Sequence, residues 1–330
     1  MPLFETIPID LDHVRRLLDE HWGLELGKCL KSSQNHTFLA HSEDLKHCPR
    51  IVRVTPDPHQ KRRDSTLVEG EFLAFLHANS LPVCPMIPSR KTGNGVVIVD
   101  DLVVSVFPYA SGEPVAFTEW RWMTEREHVL ALGRWMAQLH VLSRRFAVER
   151  PDLIAKARHW TELHDGVLAE VPVDPADAAT RSDPSRYGLI HGDVNASNYF
   201  WNADTKTPQV FDWDQSQLCW FTYDLSTPIW SVVMMAGAGS PVDRSPVPQA
   251  NPEQYTEWLV EGYESGDHGV KVDRAELARM VGIRRQLYHR FCHRALSETT
   301  PDSEMGSFVR YVVSWLDSED AKAAQQTASE

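Results

Sequence analysis

No apolar run in the sequence approaches the roughly eighteen residues that a membrane-spanning helix needs. The opening stretch "MPLFETIPIDLDHVRRLLDEHWG" also lacks a basic start followed by an apolar core, so neither a spanning segment nor a secretory leader is expected and cytoplasm is the default location. Cysteine is sparse: Cys29, Cys48, Cys84, Cys219 and Cys292 are odd in number, scattered and free of any C-x-x-C spacing. Neither a disulfide framework nor a thiolate zinc site follows. Basic excess is missing too, since the formal charge is -13. Phosphate backbones select clustered Lys and Arg, so a nucleic-acid partner is not expected. No G-x-G-x-x-G occurs, and "GLELGKC" departs from the Walker pattern in its spacing and its final Cys. What remains, 42% apolar and 24% charged over 330 residues, describes a folded protein with one large core or two unequal packed lobes.

Residues 9 to 20 set Ile9, Leu11, Val14, Leu17 and Leu18 at near-helical spacing, which predicts a leading amphipathic helix. From about residue 24 to 55 the pattern shortens to segments such as "HTFLA" and "RIVRVT" separated by the polar run "HSEDLKHC", as in a meander of antiparallel strands. "STLVEGEFLAFLHANS" returns to helical periodicity, and "GVVIVDDLVVSVFPY" reads as two strands joined at Asp100 and Asp101. After Tyr109 the texture is mostly helical, with Thr124 and Glu127 spaced as a capping box for a helix carrying Val129, Leu132, Met136 and Leu139. Further helices are expected around "EQYTEWLVEGY" and "RAELARMVGIRRQLYHRFCHRAL", and "AGAGSPVDRSPVPQANPE" between them reads as a mobile loop that could close over a ligand. The expected division is a small sheet lobe with one long helix over 1–106, a connector at 107–112, a larger helical lobe over 113–318 and a frayed tail at 319–330. A cleft between two such lobes is a natural ligand site.

One polar hairpin interrupts the helical half: "LIHGDVNASNYFWNADTKTPQVFDWDQSQ" holds Asp193, Asn198, Asp212 and Asp214 between short apolar runs. Phosphoryl transfer needs a carboxylate to orient the attacking hydroxyl, oxygen ligands for magnesium and a cation on the nucleotide side. Asp193 and Asn198 lie five residues apart across a loop, so one can face an acceptor and the other a metal. Asp212 follows fourteen residues later at the end of the returning strand, and Mg²⁺ accepts such a small oxygen set beside substrate phosphates. An isolated loop Asp is ordinarily a turn residue or a cap. Here His191, Asp193, Asn198 and Asp212 occur together, in order, between strands.

The string "HGDVNASN" followed by "VFDWD" resembles the aminoglycoside phosphotransferase and choline kinase group, whose fold is like that of the eukaryotic protein kinases. The similarity extends over about residues 25 to 295, including "EGEFLAFLHANSLPV", "LGRWMAQLH" and "WFTYDLSTPIW". The resemblance implies an α+β, bilobal protein-kinase-like fold and an ATP- and Mg²⁺-dependent phosphotransferase. It makes Asp193 the general base or hydroxyl-orienting group, with His191 bracing the same catalytic loop, Asn198 and Asp212 the metal ligands, and Asp224 the tie that holds the loop backbone. Asp214 matches no universal position; supporting a ligand and touching the substrate both remain open for it.

Protein kinases and most relatives carry a strand lysine that grips nucleotide phosphates, whereas here the matching position is Arg53, which can pair with Glu69 but offers a fork rather than a point charge. Its alternative is a solvated strand residue beside a degenerate nucleotide site. "LKSSQNHTF" would cover the phosphates with donors such as Ser33, and Phe107 to Tyr109 would meet adenine or else pack between lobes. Five Asp and one Lys between 193 and 224 suit a cationic small-molecule hydroxyl acceptor, with Trp213 and Trp230 as aromatic neighbours or as core. Three functions remain in view: a kinase of a small hydroxylated metabolite or antibiotic, a Ser/Thr protein kinase, and a nucleotide-binding pseudokinase. The sequence sets no oligomeric state.

Overall fold

The computed structural model describes residues 7–42, 48–116, 119–162, 171–240, 243–266, 271–298 and 304–329. Residues 43–47 of the polar run and residues 241–242 of the Gly/Pro-rich loop lie outside them. The Asp10 carboxylate caps α1 (Leu11–Trp22) by accepting from the Asp12 and His13 N–H groups. Then come β1 (Glu25–Ser32), β2 (His36–His41), β3 (Arg50–Pro56), α2 (Arg63–Ala78), β4 (Val96–Val99) and β5 (Leu102–Pro108). The strands form one antiparallel sheet in the order β1-β2-β3-β5-β4.

Strand alternation decides what this sheet shows to the cleft. Val52 and Val54 of β3 and Val104 and Val106 of β5 pack with Val14, Leu17, Leu18 and Trp22 of α1. A period of two then turns Arg53 and its register partner Ser105 to the opposite face, toward α2. Apolar α2 residues Val68, Phe72, Leu73 and Leu76 join Val96 and Val103 in the core that runs on into the helical lobe.

That lobe begins with β6 (Glu113–Pro114), α3 (Arg121–Thr124) and α4 (Arg126–Glu149), followed by α5 (Pro151–Ile154) and α6 (Pro175–Ala179). The capping box expected from Thr124 and Glu127 does not form: α4 starts after Glu125 without a side-chain cap, and Thr124 Oγ1 instead donates back to Trp120 O at the end of α3. Next are β7 (Tyr187–Ile190), β8 (Tyr199–Asn202), β9 (Thr207–Val210) and β10 (Gln217–Trp220). The single polar hairpin expected here is two nested pairs, with β8 against β9 inside and β7 against β10 outside. Helices α7 (Phe221–Gly237), α8 (Pro252–Glu264), α9 (Arg274–Glu298) and α10 (Glu304–Ser329) complete the chain. The backbone is helical through Ser329, in place of the frayed tail expected from residue 319, and the Ala- and Gln-rich composition of this stretch favours helix. Among the described residues no helix is long and apolar enough to cross a membrane.

Close contact between α4 and α8 supports the site from behind. A Cβ built on Gly133 would lie 2.2 Å from the Leu259 carbonyl and 2.8 Å from the Tyr263 nitrogen, so only glycine allows the approach. Because Tyr263 hydrogen-bonds His140 one helix away, the crossing also sets the relay described below. Gly133→Ala is expected to destabilise the fold by about 1–3 kcal/mol, read as a lower urea midpoint.

Candidate active site

Strand β7 ends at Ile190 and delivers the candidate catalytic loop. Gly192 takes a left-handed φ of 84°, and a Cβ there would sit 2.5 Å from Gln215 O, so the loop can lie against the segment after β9 only with glycine. His191 is fully buried. Its Nδ1 accepts from the Asp193 N–H at 3.1 Å, which leaves the proton on Nε2 to be donated to Phe211 O, also at 3.1 Å. The ring therefore joins the catalytic loop to the end of β9 and positions Asp193 rather than meeting a substrate. Asp224, in the first turn of α7, accepts from the N–H groups of Gly192 at 2.8 Å and His191 at 3.3 Å and from His140 Nε2 at 3.1 Å. Burial holds the His140 imidazole below its ordinary pKa, so it is neutral and can donate to Asp224 while Nδ1 accepts from Tyr263 OH at 2.8 Å.

Asn198 Nδ2 donates to both the backbone oxygen and Oδ2 of Asp193, each at 2.9 Å. With its amide protons engaged, Asn198 presents Oδ1 as an oxygen donor. Desolvation raises the Asp193 carboxyl above its ordinary range, and the buried guanidinium of Arg284 is the largest opposing influence.

Strand β9 returns beside this loop, Phe211 N donating to Asn198 O at 2.9 Å. Asp212 follows with φ 63°, a left-handed conformation that Asp tolerates better than most residues. Its carboxyl is pushed up, first by the neighbouring Asp214 carboxylate and then by desolvation. Asp214 itself is lowered: desolvation works against its charge, but Arg62, Arg53, Lys31 and Arg158 outweigh it. Asn35 Nδ2 donates to Asp214 Oδ2 at 3.0 Å, and Thr55 Oγ1 holds Asn35 Oδ1 at 2.9 Å. Asp214 thus ties the β1–β2 turn to the candidate metal loop on the cation-rich side. The set Asn198 Oδ1, Asp212 and nearby Asp214 is all oxygen and carries two mutually repelling carboxylates, which fits a hard divalent cation.

Above it, Arg53 Nη2 meets Glu69 Oε2 of α2 at 2.6 Å, both side chains being under a tenth exposed. The guanidinium also lies over the Phe107 ring, 5.2 Å from its centroid. A solvated strand arginine is excluded by this burial. A cavity of about 310 Å³ opens here, lined by Ile51, Arg53, Phe107, Phe200, Phe211 and Asp212 among others. Tyr109, 45% exposed, stands at its edge against Phe200.

Several expected residues lie elsewhere. Ser33 uses its N–H within the β1–β2 turn, donating to Asn35 O at 3.0 Å, and the cavity is lined instead by Leu30, Lys31 and Thr37 of the flanking strands. Trp213 packs among Phe72, Trp135 and His191 and also borders the cavity, whereas Trp230 packs among Tyr288 and Trp315 away from it; both rings are buried. The acidic count between 193 and 224 also divides. Asp204 is exposed in the β8–β9 turn, Asp224 is buried and Asp214 faces cations. The remaining two, Asp193 and Asp212, sit on the loops after β7 and β9.

Sequence reasoning missed Lys31, Arg158 and Arg284. Arg158 donates to Asp214 O. Arg284 of α9 reaches Gly192 O and Ser226 Oγ, each at 3.2 Å, and lies over Tyr223. Their distance along the chain from the motif left no local signal to find them by.

The site is thus a sheet lobe whose buried Arg–Glu pair stands beside two polar loops of the helical lobe. The sequence profile of the phosphotransferase enzyme family matches residues 30–258, and the chain belongs to that family. It is 26% identical over 243 residues to the amicoumacin kinase of Bacillus subtilis (strain 168), a match that spans 67% of this chain and 64% of that enzyme's length. An amicoumacin kinase solved with AMP-PNP, Ca²⁺ and its ligand Ami superposes with a TM-score of 0.70 at 19% identity, covering 94% of each chain. A microcompartment-associated aminopropanol kinase gives 0.64 at 22% identity, with 93% of this chain and 95% of that one covered. A spectinomycin phosphotransferase with ADP and spectinomycin gives 0.60 at 16% identity over 94% and 98% of the two chains. These likenesses establish the α+β, protein-kinase-like fold.

Proposed function

We propose that the chain transfers the γ-phosphoryl group of ATP, bound with Mg²⁺, to a hydroxyl of a small amine-bearing metabolite or antibiotic. The observation that carries this reading is that Asp212 lines one cavity with Arg53, the partner of Glu69, while the segment before Asp212 is hydrogen-bonded to Asn198, which in turn holds the Asp193 carboxylate. Adenine would enter the apolar part of that cavity, beside Ile51, Phe107, Phe200 and Phe211. Its phosphates would run toward Arg53 and Lys31, and Asn198 with Asp212 would hold Mg²⁺. When bound, the metal neutralises charge on the phosphate oxygens. The acceptor oxygen then forms its bond to the γ-phosphorus as the bridging bond to ADP breaks, and the hydroxyl proton passes to the Asp193 carboxylate. Asn198 and the His191 brace keep that carboxylate in place.

Support for an amine on the acceptor comes from relatives, one of which is named for an amino alcohol, more than from local charge. A Mg²⁺-dependent ATP-consumption screen over amino alcohols, hydroxy amino acids, aminoglycosides and protein substrates, with Asp193→Ala as control, tests the proposal. Turnover confined to a small amine-bearing acceptor supports it. Turnover confined to protein would identify a Ser/Thr kinase, and nucleotide binding with no turnover a pseudokinase.

Arg53 supplies a separate prediction. Arg53→Lys keeps the charge opposite Glu69 but loses the fork, so the KM for ATP is expected to rise about tenfold with kcat little changed. Arg53→Met removes the partner of a buried carboxylate and should also cost about 3–5 kcal/mol of stability, measured by denaturant unfolding.

A further inference from the structure

Helices α9 and α10 lie beyond residues 30–258, the part of the chain that matches the family. His289 and His293 are four residues apart on one face of α9, and Asp317 faces them from α10. Their three ligand atoms form a small triangle: His289 Nε2 to Asp317 Oδ1 is 2.9 Å, His293 Nε2 to the same oxygen 3.1 Å, and the two ring nitrogens are 3.2 Å apart.

Hydrogen bonding alone cannot satisfy all three edges. If both rings carry their proton on Nε2, both can donate to Asp317, but the two ring nitrogens then stand 3.2 Å apart with no acceptor between them. If either ring is protonated on Nδ1 instead, its bare Nε2 faces the carboxylate oxygen, lone pair to lone pair. A cation at the centre makes every contact favourable. The size also agrees, since tetrahedral bonds of about 2.0–2.1 Å place neighbouring ligands about 3.3 Å apart. At 30%, 44% and 51% exposure the three side chains are open to an ion from solvent.

We propose that His289, His293 and Asp317 bind a first-row divalent transition-metal ion, Zn²⁺ by ligand chemistry, and that the ion fastens α10 to α9. Two imidazoles and one carboxylate are the donors this borderline ion takes, whereas Mg²⁺ and Ca²⁺ select oxygen alone. The fourth position falls to water or to Asp320, whose Oδ2 lies 3.8 Å from His289 Nε2. The ion would act two turns along α9 from Arg284, so its effect falls on the stability of the helix pair and not on phosphoryl transfer.

The test uses the untagged 330-residue chain with Cys29→Ser and Cys48→Ser, which silence the two exposed thiols. After stripping with a chelator, it is titrated with Zn²⁺ against a chromophoric competitor, and with Co²⁺ in parallel. One equivalent should bind with a Kd below about 1 µM, the Co²⁺ form should show the visible bands of a tetrahedral site, and Zn²⁺ should raise Tm by a few degrees. His293→Ala and the isosteric Asp317→Asn should each weaken binding about tenfold or more and abolish the Tm rise. Equal affinity in wild type and both variants, or wild-type binding weaker than about 100 µM, overturns the site.

Discussion

Asp193→Asn is expected to lower kcat by about 10²–10⁴-fold, the range for removing a positioned general base, with the KM for ATP and the fold unchanged. Asparagine is nearly isosteric, and its carbonyl oxygen can go on accepting from Asn198 Nδ2, as Asp193 Oδ2 does at 2.9 Å. The Asp224 ties to Gly192 and His191 are untouched. What disappears is the ability to take a proton. Steady-state kinetics with saturating ATP and the best acceptor measure the effect, and a fall in kcat of less than about tenfold would show that another group receives the proton.

Asp212→Asn has two expected effects of opposite kind. Transfer should fall by about 10³-fold or more, since a metal acting on phosphoryl oxygens contributes several kcal/mol, and Mg²⁺ should cease to strengthen nucleotide binding. Metal-free stability should rise, because Asp214 is the largest influence raising the Asp212 carboxyl and the substitution ends that repulsion. Asparagine also accepts the left-handed φ of 63°, so no backbone strain offsets the gain. Titration calorimetry with and without Mg²⁺ and a thermal scan of the apo protein read the two. A lower Tm together with unchanged Mg²⁺ dependence would contradict the assignment. Activity and stability opposed at one residue are what a site shaped for a ligand predicts.

The residues that sequence alone could place share one property: their meaning is local. Asp193, Asn198 and Asp212 sit in short segments whose order and spacing carry the chemistry. Arg53 is matched with Glu69 through the resemblance to the kinase family, and the two side chains meet at 2.6 Å. Where strand partners are remote the reading failed. Four-residue strands of equal length do not announce which pairs with which, so nested β7–β10 and β8–β9 pairs read as one hairpin. Thr124 and Glu127 have the spacing of a capping box, but α3 takes Thr124 for its own last turn. Trp213 and Trp230 have the composition of an aromatic acceptor wall and the burial of core. Asp214 could be placed only in three dimensions, where Asn35, Arg158 and the cations around it come from distant segments.

The central claim is that this cleft moves a phosphoryl group from ATP to a hydroxyl. Phosphorus NMR of the chain with ATP, Mg²⁺ and the best amino-alcohol or aminoglycoside acceptor tests it most directly. The expected result is ADP and a new phosphate monoester of the acceptor in one-to-one ratio, both absent with Asp193→Ala. ADP accompanied only by inorganic phosphate, or monoester formed equally by the variant, would contradict it.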